Sequence, residues 1–190
     1  AEEKIKEGYR IFTIGEMGIS NTTSSACILG AFNHWNAIEV TGRGTNISDE
    51  RLRHKVEVVQ TAMDVNHPDP KDGLDVLSKV GGFEFGCMTG VILGAAANHA
   101  MTIIDGFNTT ASAFIAKALA SESVHYLMAS HLSLEQAHKK SLAALGLTEY
   151  IDLDFRLGEA VGAGIQTKMF DLALSVYREC ATKEEVGVKA

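Results

Sequence analysis

Two glutamates stand among small residues, in settings where a carboxylate can act on a bound molecule. Glu159 lies in Arg156-Leu157-Gly158-Glu159-Ala160-Val161-Gly162-Ala163-Gly164, which reads as the opening of a long apolar helix. Glycines let another molecule approach the backbone closely. A helix start supplies free N–H groups and the positive end of a dipole. A carboxylate held there suits the role of a base toward a ligand. Glu16 lies in GEMGISNTT, residues 15–23, where Gly15 and Gly18 permit a tight turn and Asn21 or Thr22 can cap the next helix. That loop reads either as a cradle for an anion or ribose, with Glu16 facing the ligand, or as a capped turn with a solvated glutamate. Spacing alone favours the capped turn. As a pair, the two carboxylates fit glycosidic-bond chemistry, in which one group activates a nucleophile and another supports the cation developing at C1.

Other polar groups offer weaker signals. TGRGTN, residues 41–46, is a second glycine-rich turn, but it lacks the third glycine of a dinucleotide fingerprint and the Gly-Lys-Ser/Thr ending of a Walker loop. Lys55 follows within two helical turns and could reach back toward an anion at Gly42 and Gly44; pattern alone makes it a surface lysine among Arg51, Arg53 and His54. Asp105, after an apolar run and before Gly106, suits either ribose hydroxyls or a helix cap. His131, between Ser130 and Leu132, reads as structural, since no Ser–His–Asp order surrounds it. Asp69, Asp72 and Asp75 recur every three residues, but the twelfth position counted from Asp69 is Val80, where a calcium loop needs glutamate. Cys27, Cys87 and Cys180 are odd in number and form no CxxC pair, which predicts neither disulfides nor zinc and points to a reducing cytoplasm.

Short apolar runs alternating with longer segments must position these groups. Residues 10–14, 101–104 and 124–128 read as strands. Residues 21–32, 74–80, 83–99, 110–119 and 134–145 read as helices, Ser48 starts another that carries Leu52, Val56, Val59 and Met63 on one face, and a last one is expected from 159 to 180. Strands separated by helices predict an α/β domain around a mostly parallel sheet with right-handed crossovers. Ligands bind such sheets beyond the carboxyl ends of the strands, and those ends carry Gly15-Glu16-Met17-Gly18, Asp105-Gly106-Phe107-Asn108 and Ser130-His131.

A chain of 190 residues is read as a single domain, residues 1–190. The net charge of −7 argues against a nucleic-acid partner, which would demand a basic surface. No apolar run approaches the ~20 residues of a membrane helix, and the charged start Ala1-Glu2-Glu3-Lys4 is unlike a signal peptide. Residues 4–8 read as the tail of a surface helix that runs straight into a strand, so further sequence upstream is expected.

Five motifs taken together add a more specific reading. GEMGISNTT, DGLDVLSKVGGFE (residues 72–84), MTGVILGAA (88–96), IDGF (104–107) and RLGEAVGAG (156–164) resemble, in order and across nearly the whole chain, the nicotinate-nucleotide–dimethylbenzimidazole phosphoribosyltransferases of cobalamin biosynthesis. The resemblance implies a Rossmann-like α/β fold, with a mostly parallel sheet flanked by helices, working as a homodimer. It implies transfer of phosphoribose from nicotinate mononucleotide to 5,6-dimethylbenzimidazole, giving α-ribazole 5′-phosphate and nicotinate, with no metal or organic cofactor. It makes Glu159 the general base and Glu16 a second active-site carboxylate. It also puts Gly42, Gly44 and Lys55 near the substrate phosphate and Asp105 and Gly106 near the ribose, with Met17, Gly18, Asn21, Thr22, Ser133 and Leu157 as further substrate contacts. The family's portion before the GEMG loop, including part of the pocket for the aromatic base, has no counterpart here, and Ser20 stands where glycine or a small apolar residue is more usual. Two other readings share these residues: a fragment that binds nucleotide without transferring it, and a hydrolase of N-glycosidic bonds.

Overall fold

A computed structural model describes residues 1–155 and 157–187; Arg156 of the RLGE motif lies outside the described residues. Three strands, β1 (Ile11–Ile14), β2 (Met101–Ile104) and β3 (Leu127–Ala129), form a parallel sheet in that order. Ile14 pairs with Ile104, and Ile104 with Ala129, so the three carboxyl ends lie level. Ser130 then turns the chain out of the ladder. Its N–H still donates to Ile104 O at 3.1 Å, while its carbonyl accepts from Tyr150 N at 3.0 Å. The chain continues as β4 (His131–Ser133), parallel to β5 (Ile151–Phe155), with an irregular register between His131 and Ser133. The expected mostly parallel α/β sheet is thus present, as two ribbons joined through one continuous segment.

Helices cover both faces. On one side α2 (Asn21–Asn33), α5 (Gly73–Val80) and α6 (Phe83–Ala96) pack around α7 (Phe107–Leu119). Residues 107–116 of α7 are all buried, so this helix is surrounded, and polar members such as Asn108, Thr109 and Thr110 must find partners inside. The amphipathic α4 (Asp49–Asn66) lies outside α2, capped at Ser48 by the Arg51 N–H at 3.4 Å, as its sequence predicts. The other side is crossed by α9 (Val161–Glu179), which touches β1, β2, β4 and β5. The short α1 (Glu2–Lys6) packs on α6, and α3 (Ala37–Val40) leads from α2 toward α4 behind a capping box of Asn36 and Glu39.

Four sequence expectations are corrected. The strand expected at 124–128 is mostly a 3₁₀ turn, Ser121–Tyr126, with β3 beginning only at Leu127. The helix expected from 134 begins at His138 as α8 (His138–Leu145), preceded by β4. The strand β5 was not expected: in Ile-Asp-Leu-Asp-Phe the three central residues are exposed, so its alternation resembles a surface loop. Finally, α9 starts at Val161 instead of Glu159, because Gly158, Glu159 and Ala160 sit at φ 82°, 56° and 62°, in the left-handed region that no right-handed helix contains.

His138 locks the crossover between β4 and α8. The Ser133 N–H donates to its Nδ1 at 2.9 Å, which places the ring proton on Nε2, 3.0 Å from Thr110 Oγ1; that hydroxyl in turn donates to Gly106 O at 2.9 Å. Burial, reinforced by the nearby His131, pushes the His138 pKa down to about 3. The folded protein therefore keeps this ring neutral where the unfolded chain takes up a proton, near its ordinary 6.5. Stability is complete above 6.5 and falls by about 1.4 kcal/mol per pH unit as the pH drops toward 3. His131, also pushed down by burial, adds in the same direction. Urea melts between about pH 7 and pH 5, above the range of the carboxylates, should show this slope, reduced by about one proton in His138→Gln.

Candidate active site

The carboxyl ends of β1, β2, β4 and β5 all open into one cleft of about 910 Å³. Its walls are the loops that follow those strands, together with the 42–47 turn and the inner side of α4. Every residue singled out from the sequence lines it: Glu16, Met17, Gly18, Asn21, Thr22, Gly42, Gly44, Lys55, Asp105, Gly106, Ser133, Leu157 and Glu159. A smaller depression of about 390 Å³ between α3 and α4 has Glu57 as its one ionisable group and no convergent polar set.

Glu16 is held rigidly. Its Oε1 accepts from Asn108 Nδ2 at 2.6 Å, and its Oε2 accepts from Asn21 Nδ2. Asn108 also donates to Asn21 Oδ1 at 3.0 Å and accepts from the buried Ser25 hydroxyl at 2.6 Å. Two buried amides, one of them held by a buried hydroxyl, thus fix the carboxylate in place with one donor on each oxygen. Asn21 reaches Glu16 because Gly18 leaves room; a Cβ there would come within 2.9 Å of Asn21 Cγ. Ser20, the N-cap of α2, has φ 77°, a conformation that costs a serine more than a glycine.

Glu159 sits opposite, exposed on the cleft wall. Its backbone N–H donates to Glu16 O at 3.3 Å, so the two carboxylate-bearing loops are joined main chain to main chain. Gly15 makes this contact possible, since a Cβ there would fall 2.6 Å from Ala160 Cβ. Beneath it, Asp105 Oδ1 accepts the Ala163 N–H at 3.0 Å and so caps α9 from the end of β2. The Asp105 carboxylate lies 3.7 Å from His131 Nδ1 and opposes the downward push of burial on that ring. Of the two readings left open for Asp105, the helix cap is realised, though for α9 and not for the adjacent α7. Gly162 passes directly over His131, where a Cβ would lie 2.7 Å from Cε1.

A second group of polar atoms in the cleft gathers around Lys55. Lys55 Nζ donates to Thr22 Oγ1 at 2.8 Å and to Gly42 O at 3.0 Å. Burial pushes its pKa down, and the charge of Glu135 acts against that. The Gly44 N–H donates to Glu135 Oε1 at 2.7 Å, and Thr22 lies in the first turn of α2, at the positive end of its dipole. Exposed Met17 and Leu157 contribute apolar surface at the rim. No group of three or more His, Cys, Asp or Glu among the described residues could hold a metal ion.

Sequence reasoning missed Ser25 and Glu135, and it named Asn108 only as part of the strand end after β2, without a role. Ser25 and Asn108 gave one faint signal, polar residues inside helices otherwise made of small and apolar ones. Glu135 gave none, because its partner Gly44 is far away in sequence.

Comparisons with known proteins identify the family and the fold. A family model described as phosphoribosyltransferase matches residues 1–188. The nicotinate-nucleotide–dimethylbenzimidazole phosphoribosyltransferase of Desulforamulus reducens is 46% identical over 187 residues, 98% of this chain and 53% of the relative. That of Syntrophotalea carbinolica is 49% identical over 178 residues, 94% of this chain and 50% of its own. The crystal structure of CobT from Thermus thermophilus superposes with a TM-score of 0.91 at 36% identity, covering 98% of this chain and 56% of that one. The chain spans about half the length of the curated relatives it matches.

The Gly15 contact can be tested directly. Gly15→Ala should force the β1 loop and the 158–160 turn apart, lowering any turnover at least tenfold while the sheet that ends just before it stays folded. Circular dichroism with ligand-binding titrations would check this; wild-type binding and activity would contradict the role given to the contact.

Proposed function

The chain belongs to the phosphoribosyltransferase family, and we propose that it carries the catalytic groups for transfer of phosphoribose from nicotinate mononucleotide to 5,6-dimethylbenzimidazole, with residues 1–190 acting as a single domain. The observation that carries the proposal is that one cleft is lined both by two carboxylate loops joined by the Glu159–Glu16 main-chain bond and by the Lys55–Thr22–Gly44 group. A nucleoside monophosphate presents a phosphate for one of these groups and an anomeric carbon for the other.

In the reaction, the substrate phosphate rests on Lys55, the Gly42–Gly44 turn and the start of α2, and the ribose lies over Gly106. The benzimidazole sits against Met17 and Leu157. Its imine nitrogen attacks C1′ while the C1′–N bond to the pyridinium breaks, the electron pair leaving on neutral pyridine nitrogen. Glu159 takes the azole N–H proton as the new bond forms, so no cationic product accumulates; a positioned base contributes ~10²–10⁴-fold. Glu16, with an amide donor already on each oxygen, stays a fixed negative charge beside the anomeric carbon and supports the cation developing there. Attack from the face opposite nicotinate inverts the centre and yields the α-linked product.

A homodimer is supported by α9, whose outer side shows Met169, Leu172, Val176 and Tyr177 at helical spacing, all partly or largely exposed. A cytoplasmic location is supported by three free cysteines, two of them exposed. No helix among the described residues is long and apolar enough to cross a membrane.

Two outcomes test the proposal. Glu159→Gln should keep nicotinate mononucleotide binding and lose turnover by ~10²-fold or more, as product chromatography would show; near-wild-type turnover would remove Glu159 as the base. Nicotinate release without any benzimidazole would point to a hydrolase instead, and nucleotide binding without products would point to a binding fragment. Light scattering should give twice the chain mass, reverting to one chain mass in Leu172→Asp/Val176→Asp; a monomeric wild type would remove the dimer.

A further inference from the structure

The polar group around Lys55 already contains an anion. Glu135, in the turn between β4 and α8, gives its Oε1 to the Gly44 N–H at 2.7 Å, while its Oε2 is buried without a hydrogen-bond partner. Gly42 admits it; a Cβ there would lie 2.8 Å from Glu135 Cδ. Lys55 is close enough for the carboxylate charge to act on it, yet it donates to Thr22 Oγ1 and Gly42 O. A carboxylate with one oxygen buried and unsatisfied is costly to hold. Its position beside the Gly44 amide, Thr22 and Lys55 is where an incoming phosphate would find its donors.

We propose that Glu135 is an anion placeholder, a side chain that bonds the Gly44 N–H in the phosphate seat of the cleft and must release it when a phosphate monoester binds, so that it sets affinity for the nucleotide. The proposal rests on the reading of this cleft as a nucleotide site. Two anions cannot share one donor within hydrogen-bonding distance without strong repulsion. The displacement is confined to one side chain, because the next residue is anchored: Gln136 Nε2 donates to Ile38 O at 2.6 Å and to Thr41 O at 2.9 Å. With the placeholder in position, the turn stays open and its amide satisfied; with phosphate bound, the same donors serve the ligand. Glu135 is a specificity-determining residue and takes no part in the bond changes.

The test is calorimetric binding of inorganic phosphate and of ribose 5-phosphate to the full chain, at matched ionic strength. Glu135→Gln can still accept the Gly44 N–H through its amide oxygen and should bind both probes at least tenfold more tightly. Glu135→Ala should move the same way, and Lys55→Ala should abolish binding in every background. In turnover, Glu135→Gln should lower the nucleotide KM by at least as large a factor, with a smaller effect on the KM for the base. Equal or weaker phosphate binding by both Glu135 variants with unchanged melting temperature overturns the proposal, as does absence of binding by the wild type and both variants. Wild-type turnover with unimproved phosphate binding in the variants would sink the placeholder alone. Tighter phosphate binding in the variants of a chain that makes no product would sink the transferase reading and leave the placeholder standing.

Discussion

The cleft depends on a close approach between two loops more than 140 residues apart in sequence. Gly15 ends β1 and lies under Ala160, so near that a methyl group at Gly15 would overlap it. Gly162 repeats the arrangement over His131 just inside α9. These contacts bring Glu16 and Glu159 to the same opening and let their main chains hydrogen-bond. The Asp105 carboxylate completes the junction from below by satisfying the Ala163 N–H, one of the free donors that every helix start leaves. Three strand ends are thereby fixed against one helix start. Gly15 of the GEMG loop thus answers to packing against Ala160 of the RLGEAVGAG segment, and Gly162 of that segment to packing against His131.

Charge is distributed unevenly around that junction. The chain as a whole carries −7, yet its cleft is lined by Lys55, Arg43 and Arg51 as well as by Glu16, Glu135 and Glu159, with Glu135 near Lys55 and with Glu16 and Glu159 on the two joined loops. On the proposed reading the cations meet the phosphate and the carboxylates of the joined loops meet the sugar. Burial makes the arrangement stronger, since field lines between groups in a partly closed cleft are less screened than on open surface.

Much of this order was legible in the sequence, and the failures have identifiable causes. The apolar runs at 11–14 and 101–104, the cap at Ser48 and the break at Gly81-Gly82 are local signals, and the structure follows them closely. The strand β5 was missed because three of its five residues face solvent and two of those are aspartates. The start of α9 was misplaced because nothing local marks Glu159 and Ala160 as left-handed; that conformation is imposed by their fit against Gly15. In the site, the glycine motifs and both glutamates could be found by eye. The clamp of Asn108 and Ser25 could not, since a polar residue in an apolar helix declares its partner only once the helix is surrounded.

The left-handed turn at 158–160 has a further consequence for the chemistry. Positive φ at Glu159 and Ala160 costs about 1–3 kcal/mol each, and the bond to Glu16 O and the cap at Ala163 offset part of it. Had these residues continued the helix, Glu159 would project from the side of α9 as part of its first turn. In the turn it is instead delivered from the cleft wall, exposed beside the loop that carries Glu16. The two glutamates therefore differ in a way their sequence contexts do not reveal: one has its oxygens committed to amide donors, the other stands open. Where two carboxylates share a site, such a difference in surroundings divides the work. In the proposed reaction the committed group is accordingly the one assigned as the fixed charge, and the open one is assigned as the proton acceptor.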